Sequence, residues 1–133
     1  MGMGKAHLTI DDCMSPSPYA IQHDQPMADA HLLMREHHIR HLPVLDGDEL
    51  IGLVSLRDLH LMETLKDVDP TQVLVREAMT DEPYAVRVGT PLREVALNMG
   101  AHKYGSAVIL DADGRVVGLF TTIDAMRALA NLL

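Results

Sequence analysis

Hydrophobic residues along the chain follow one succession of spacings, and they follow it twice. Met27, Ala30, Leu33 and Met34 recur at helical intervals, as do Leu92, Val95, Ala96 and Met99, which predicts two helices with an apolar face. Behind each come two apolar runs separated by acidic turn residues. Leu42-Pro43-Val44-Leu45 and residues 50–54 flank Asp46-Gly47-Asp48, while residues 107–110 and 116–120 flank Asp111-Ala112-Asp113-Gly114. Such runs predict paired strands joined by a tight turn. A Pro-bounded strand is expected before each helix, around Tyr19-Ala20-Ile21 and Tyr84-Ala85-Val86, led in by helical turns at 10–14 and 75–79. Closing helices are expected to start near Leu56 and Thr122. Thr90-Pro91 predicts an N-cap followed by Pro at the first helical position. Each pass reads β-α-β-β-α, an α+β arrangement.

The two passes are an internal repeat. Met14-Ser15-Pro16-Ser17-Pro18-Tyr19-Ala20-Ile21 matches Met79-Thr80-Asp81-Glu82-Pro83-Tyr84-Ala85-Val86 at a separation of 65, which holds through Pro26/Pro91, Met34/Met99 and Asp46/Asp111. The separation becomes 66 at Gly52/Gly118 and holds through Asp58/Asp124, so the second turn has gained one residue. Two copies are too few for a solenoid. The expected organisation is a pair of pseudo-symmetric repeats packed sheet to sheet: repeat one over 8–65, a linker over 66–72 containing Asp69-Pro70, and repeat two over 73–133, together one compact module.

Composition narrows the possibilities. With no Trp, one Phe and three Tyr, the core must be built from aliphatic residues and Met. The net charge of −8 argues against nucleic acid, because affinity for a phosphate backbone needs a basic face. A small anionic ligand remains compatible, since one pocket needs only a few local cations. The single cysteine, Cys13, excludes an intramolecular disulfide and a cysteine-rich zinc site. No apolar stretch approaches the ~20 residues of a membrane span, and residues 1–7 lack the apolar core of a signal peptide. A cytoplasmic location away from membranes is expected.

Gly52-Leu53-Val54-Ser55-Leu56-Arg57-Asp58 and Gly118-Leu119-Phe120-Thr121-Thr122-Ile123-Asp124 share the form Gly-x-x-Ser/Thr-x-x-Asp, each where a strand ends and a helix begins. One reading is structural: Ser or Thr with Asp three residues on is a capping-box variant, and the Gly permits close packing. The other is functional. A hydroxyl at a helix N-terminus, beside the positive end of the dipole, suits a phosphate, and a carboxylate one turn on can accept hydrogen bonds from both ribose hydroxyls.

The β-α-β-β-α unit, the closing Gly-x-x-Ser/Thr-x-x-Asp and the phrase Ile39-Arg40-His41-Leu42-Pro43-Val44-Leu45-Asp46 resemble a cystathionine β-synthase (CBS) domain, and the resemblance covers residues 10–133. Tandem CBS domains form a Bateman module. The resemblance therefore implies a non-catalytic regulatory module whose clefts take AMP, ADP, ATP or related adenosyl compounds as a regulatory ligand, with no obligatory cofactor. It also implies composite clefts. Cleft A would join Tyr19, Ala20, Ile21, Arg40, His41 and Leu42 with Thr121 and Asp124. Cleft B would join Tyr84, Ala85, Val86, Gly105, Ser106 and Ala107 with Ser55 and Asp58. Gly105-Ser106 in place of Arg40-His41 leaves cleft B without obvious phosphate cations unless Lys103 reaches it, so unequal clefts are expected.

Other candidate chemistry is thin. His37, His38 and His41 cluster in sequence, but residue 39 onward reads as a strand and neither a Cys nor a close carboxylate completes a metal site. No metal and no catalytic group are expected. Cys13 aligns with Ala78, which suggests a small packed residue. Tyr19 and Tyr84 either flank a ligand or anchor the loop into each strand. Leu59 and Met62 lie on one side of the first closing helix and Leu61 and Leu65 on another; the last helix has Met126, Leu129, Ala130, Leu132 and Leu133 spread round it. A helix apolar on more than one side must bury more than one side, so a homodimer is expected, with an unidentified target protein downstream. The rival reading is a structural dimerisation adaptor that binds no nucleotide.

Overall fold

Four helices form where the apolar period runs at three to four residues: α1 Met27–His37, α2 Leu56–Lys66, α3 Leu92–His102 and α4 Thr122–Leu132. They belong to a computed structural model that describes residues 8–133; the segment 1–7, read above for a signal peptide, lies outside the described residues. The strands are β1 Ser15–Pro16, β2 Ile21–Gln22, β3 His41–Asp46, β4 Glu49–Ser55, β5 Thr80–Asp81, β6 Ala85–Arg87, β7 Ser106–Leu110 and β8 Val116–Thr121. They make two four-stranded sheets, β2-β3-β4-β5 and β1-β8-β7-β6. The class is α+β. The two-residue edge strands β1 and β5 add to the β-α-β-β-α reading; they are too short for an alternating pattern to reveal them.

Each sheet takes one edge from the other repeat. The chain divides into two compact units, unit I being Tyr19–Pro83 and unit II combining 8–18 with Tyr84–Leu133. The lead-in of each repeat thus belongs with the body of the other. In unit I the backbone N–H of Met27 donates to the Val73 carbonyl at 2.8 Å, and that of Val75 to the Gln25 carbonyl at 2.8 Å. In unit II Leu92 donates to Leu8 at 2.9 Å and Ile10 to Thr90 at 2.8 Å, the same pair of bonds at matched positions. These bonds solve a capping problem. The N-caps of α1 and α3 are Pro26 and Pro91, and neither makes a side-chain cap. The free N–H groups of the first turn must therefore find acceptors elsewhere, and the exchanged lead-in supplies carbonyls. This moves the expected cap of α3 from Thr90 to Pro91; the Thr90 hydroxyl donates instead to the Arg87 carbonyl at 2.7 Å.

The exchanged segments also enter the cores. Val75, fully buried, joins Ile21, Met27, Leu42, Val54 and Leu59 in unit I, and its counterpart Ile10 joins Val95, Ala107, Ile109 and Phe120 in unit II. Pro43 shows how one residue alters a matched strand. Val108, its counterpart, donates its N–H to the Tyr84 carbonyl at 2.9 Å, and β6 starts at Ala85. Pro43 has no N–H to give, and β2 starts one position later, at Ile21.

The motif glycines answer to the same exchange. Gly52 pairs with Asp81 and Gly118 with Pro16 across the borrowed edges. A Cβ on Gly52 would collide with Met79 Sδ and lie 3.0 Å from the Thr80 carbonyl; on Gly118 it would collide with Met14 Sδ and lie 3.0 Å from the Ser15 carbonyl. At 3.0 Å the borrowed strand's carbonyl would have to give by a few tenths of an ångström to admit the methyl. Gly52→Ala is therefore expected to destabilise by roughly 1–3 kcal/mol, as overpacking does. Urea unfolding reads this as a lower midpoint, and an unchanged midpoint would contradict the packing account.

Candidate functional site

Ser55 ends β4 and Thr121 ends β8, each in extended backbone, and each caps the helix that follows. The Asp58 N–H donates to Ser55 Oγ at 3.0 Å while the Ser55 N–H donates to Asp58 Oδ2 at 2.8 Å. In unit II the Thr121 N–H donates to Asp124 Oδ2 at 2.9 Å and the Asp124 N–H approaches Thr121 Oγ1 at 3.5 Å. The capping-box reading of the motif is thus realised in both copies.

The two carboxylates differ in what else holds them. Asp124 is 5% exposed; its Oδ1 accepts from Ser15 Oγ at 2.7 Å and lies 3.9 Å from Arg127 Nη1. Thr80, the counterpart of Ser15, is exposed, and among the described residues Asp58 Oδ1 accepts no comparable bond. Asp58 keeps a free acceptor that Asp124 has committed within its own unit.

Arg40 and His41 lie beside Ser55. His41 pairs with Ser55 across the β3–β4 ladder, and the Arg40 carbonyl accepts from the Leu56 N–H at 2.9 Å. A cavity of about 510 Å³ is lined by Arg40, His41, Ser55, Arg57, His60 and Leu61, among others. Within unit I, then, the neighbours of Arg40 and His41 are Ser55 and Asp58, the pair assigned above to the other cleft. In unit II, Ser106 pairs with Thr121 and Ala107 with Phe120. Leu42 and Ala107 are core residues with no exposed surface. Lys103 caps the end of α3 in a left-handed conformation.

Tyr19 and Tyr84 are engaged by their own units. The Tyr19 ring stacks on His37 with centroids 3.7 Å apart. Tyr84 stacks on Tyr104 at 4.8 Å, and its hydroxyl accepts from Asn98 Nδ2 at 3.3 Å. Ala20 is half-buried and Ile21 buried; Ala85 and Val86 are half-buried in β6. The helix ends at His37, with His38 left-handed at φ 54°, so His37 and His41 do not share a helical face. Among the described residues no three His, Cys, Asp or Glu side chains group as metal ligands.

Burial pushes the Cys13 thiol up, with Asp12 and Asp124 adding to the shift; this opposes thiolate formation and suits the packed role expected for it. Ser17 carried no signal in the sequence. Its hydroxyl is buried, the residue 3% exposed, and has no partner among the described residues. An unmet buried hydroxyl costs about 1–3 kcal/mol.

Comparison with known proteins places this architecture. Residues 10–61 and 75–131 match the CBS domain family, and the chain belongs to it. An acetoin utilization protein (AcuB) from Vibrio cholerae is 29% identical, with a TM-score of 0.76 over 94% of this chain and 92% of that one. CBSX2 of Arabidopsis thaliana, solved in complex with AMP, is 28% identical with a TM-score of 0.76 over 93% of this chain and 97% of that one. Inosine-5'-monophosphate dehydrogenase of Korarchaeum cryptofilum is 30% identical over 86% of this chain, but the chain spans only 22% of that enzyme.

His41 reports on the site through its charge. Burial pushes it below the ordinary histidine value of 6.5, Asp58 pulls it back up and Arg40 presses it further down. The fold favours the neutral ring, so the unfolded chain takes up the proton first as pH falls. Stability is therefore full above about 6.5 and declines through the window beneath it, down to the folded value. Between about pH 7.5 and pH 5.5 the wild type should lose more stability than His41→Gln. Urea titrations at both pH values check this, and equal losses would contradict it.

Proposed function

We propose that the chain is a regulatory ligand-binding module that senses adenine nucleotides or related adenosyl compounds, works as a homodimer and signals to a target protein. The observation that carries this reading is the AMP complex of CBSX2, on a fold aligned over 93% of the present chain. The proposal assigns the nucleoside to the strand entries at Tyr19, Ala20 and Ile21 and at Tyr84, Ala85 and Val86. It assigns ribose hydroxyls to Asp58 and Asp124, and phosphate to the Ser55 and Thr121 caps with Arg40 and His41. No catalytic step is part of it. Among the described residues no helix is long and apolar enough to cross a membrane.

The free Oδ1 of Asp58 and the Arg40 guanidinium and His41 ring beside Ser55 favour the Ser55–Asp58 end as the stronger phosphate and ribose site, although the family resemblance had put Arg40 and His41 with Asp124. One observation favours the adaptor alternative: both capping boxes are closed by the chain's own atoms. Titration with AMP separates the two readings. AMP at 100 times its dissociation constant should stabilise by about 2.7 kcal/mol, seen as a melting shift of several degrees. Asp58→Ala should weaken AMP binding roughly ten- to a hundred-fold. Absence of any shift with AMP, ATP or S-adenosylmethionine at millimolar concentration would favour the adaptor.

The dimer rests on apolar side chains left in solvent. On α4, Ile123, Met126 and Leu129 are 59%, 62% and 47% exposed, and on α2 Leu61 is 45% exposed. Leu132 is half-buried, so Met126 is the more informative site for a charge. Sedimentation equilibrium at micromolar concentration should give twice the chain mass for the wild type and a shift toward monomer for Met126→Glu. A monomeric wild type would overturn the homodimer.

A further inference from the structure

We propose that unit I carries a site for an oligophosphate, an anion of two or more linked phosphoryl groups, in the basin between the end of α1 and the start of α2. The basin has a volume of about 510 Å³ and is lined by His31, Arg35, His38, Arg40 and His60 over an apolar floor that includes Met34. No carboxylate lines it. Glu63 on α2 is turned to His31, whose Nε2 it meets at 2.5 Å. Arg35 and Arg40 have no ion pair and no side-chain hydrogen bond among the described residues, whereas Arg76, Arg87 and Arg127 each have a partner. Two unpaired guanidiniums, with the imidazoles of His38 and His60 beside them, line one hollow in a chain of net charge −8 and form a local reversal of sign.

The repeat supplies an internal control. At the positions of His31, Arg35, His38, Arg40 and His60, unit II has Ala96, Gly100, Lys103, Gly105 and Met126. Its helices have the same lengths, and His38 and Lys103 end α1 and α3 in the same left-handed conformation. The fold is therefore built without the basic set, and packing does not require it. A solvated charged face would scatter these groups, but here they line a single concavity of the size that holds small ligands. A cation is disfavoured because two guanidiniums would repel it and no three ligands converge. Phosphoryl oxygens match the arginine fork, and two guanidiniums flanked by His38 and His60 suit more than one phosphoryl.

The inference extends the nucleotide reading through the shared Arg40 but does not depend on it, because the probe carries no adenosine. Calorimetric titration of the full chain with sodium tripolyphosphate at low salt should detect binding. Arg35 is exposed, so Arg35→Glu should leave the melting temperature unchanged while weakening tripolyphosphate roughly ten- to a hundred-fold. Arg93→Glu, an exposed site on α3 in unit II, should bind like the wild type. Absence of binding, or equal affinity in Arg35→Glu, would overturn the site; AMP binding that survives in that case leaves the nucleotide reading intact. Tripolyphosphate binding without AMP binding would do the reverse. ATP tighter than AMP, with the advantage lost in Arg35→Glu, would identify the occupant as a nucleotide's phosphate tail; no advantage for ATP would assign the same site to free polyphosphate.

Discussion

Met14 and Met79 lie against Gly118 and Gly52 so closely that a single methyl would collide with them, and each methionine comes from the opposite repeat to the glycine it covers. Much else in the fold follows from that approach. It sets β1 on β8 and β5 on β4, brings Leu8 and Val73 to the bare first turns of α3 and α1, and sends Ile10 and Val75 into the two cores. Neither repeat supplies its own complete set of caps and edge strand. The requirement for Gly in the family motif is therefore met first by packing, at positions three residues before the hydroxyl that could meet a ligand.

Duplication explains both the likeness of the two units and the places where they part. Paired positions give the same helices, the same left-handed ends and the same capping boxes. The two units part at particular positions on that scaffold. Ser15 locks Asp124 where Thr80 leaves Asp58 open. Pro43 withholds the bond that Val108 gives to Tyr84. Basic residues gather at the start of α2, while the start of α4 presents Ile123 and Met126. One unit is thus electrostatically prepared for an anion, and the other offers an apolar helix face.

Membership of the CBS family and the positions of the motif residues were legible in the chain because they depend on neighbours. A capping box spans four residues, so the starts of α2 and α4 could be read at Leu56 and Thr122. The apolar period located α1 and α3, Asp46-Gly47-Asp48 marked a hairpin that Gly47 turns at φ 63°, and the 65-residue separation revealed the repeat. Propensity and periodicity act over a turn or two of chain, and this is the range over which a single sequence speaks.

What the tertiary structure alone decided lies at long separation. The bond from Ser15 to Asp124 joins residues 109 apart, and no local pattern distinguishes it from an open carboxylate. The exchange of lead-in segments was hidden because β1 and β5 have two residues each, and because Pro26 and Pro91 look like ordinary helix starts until their N–H acceptors are found. The company of Arg40 and His41 was also a matter of register: the antiparallel pairing of β3 with β4 sets His41 opposite Ser55. Sequence determined which groups carry charge and which helix ends they flank; strand pairing across the chain decided which of them meet.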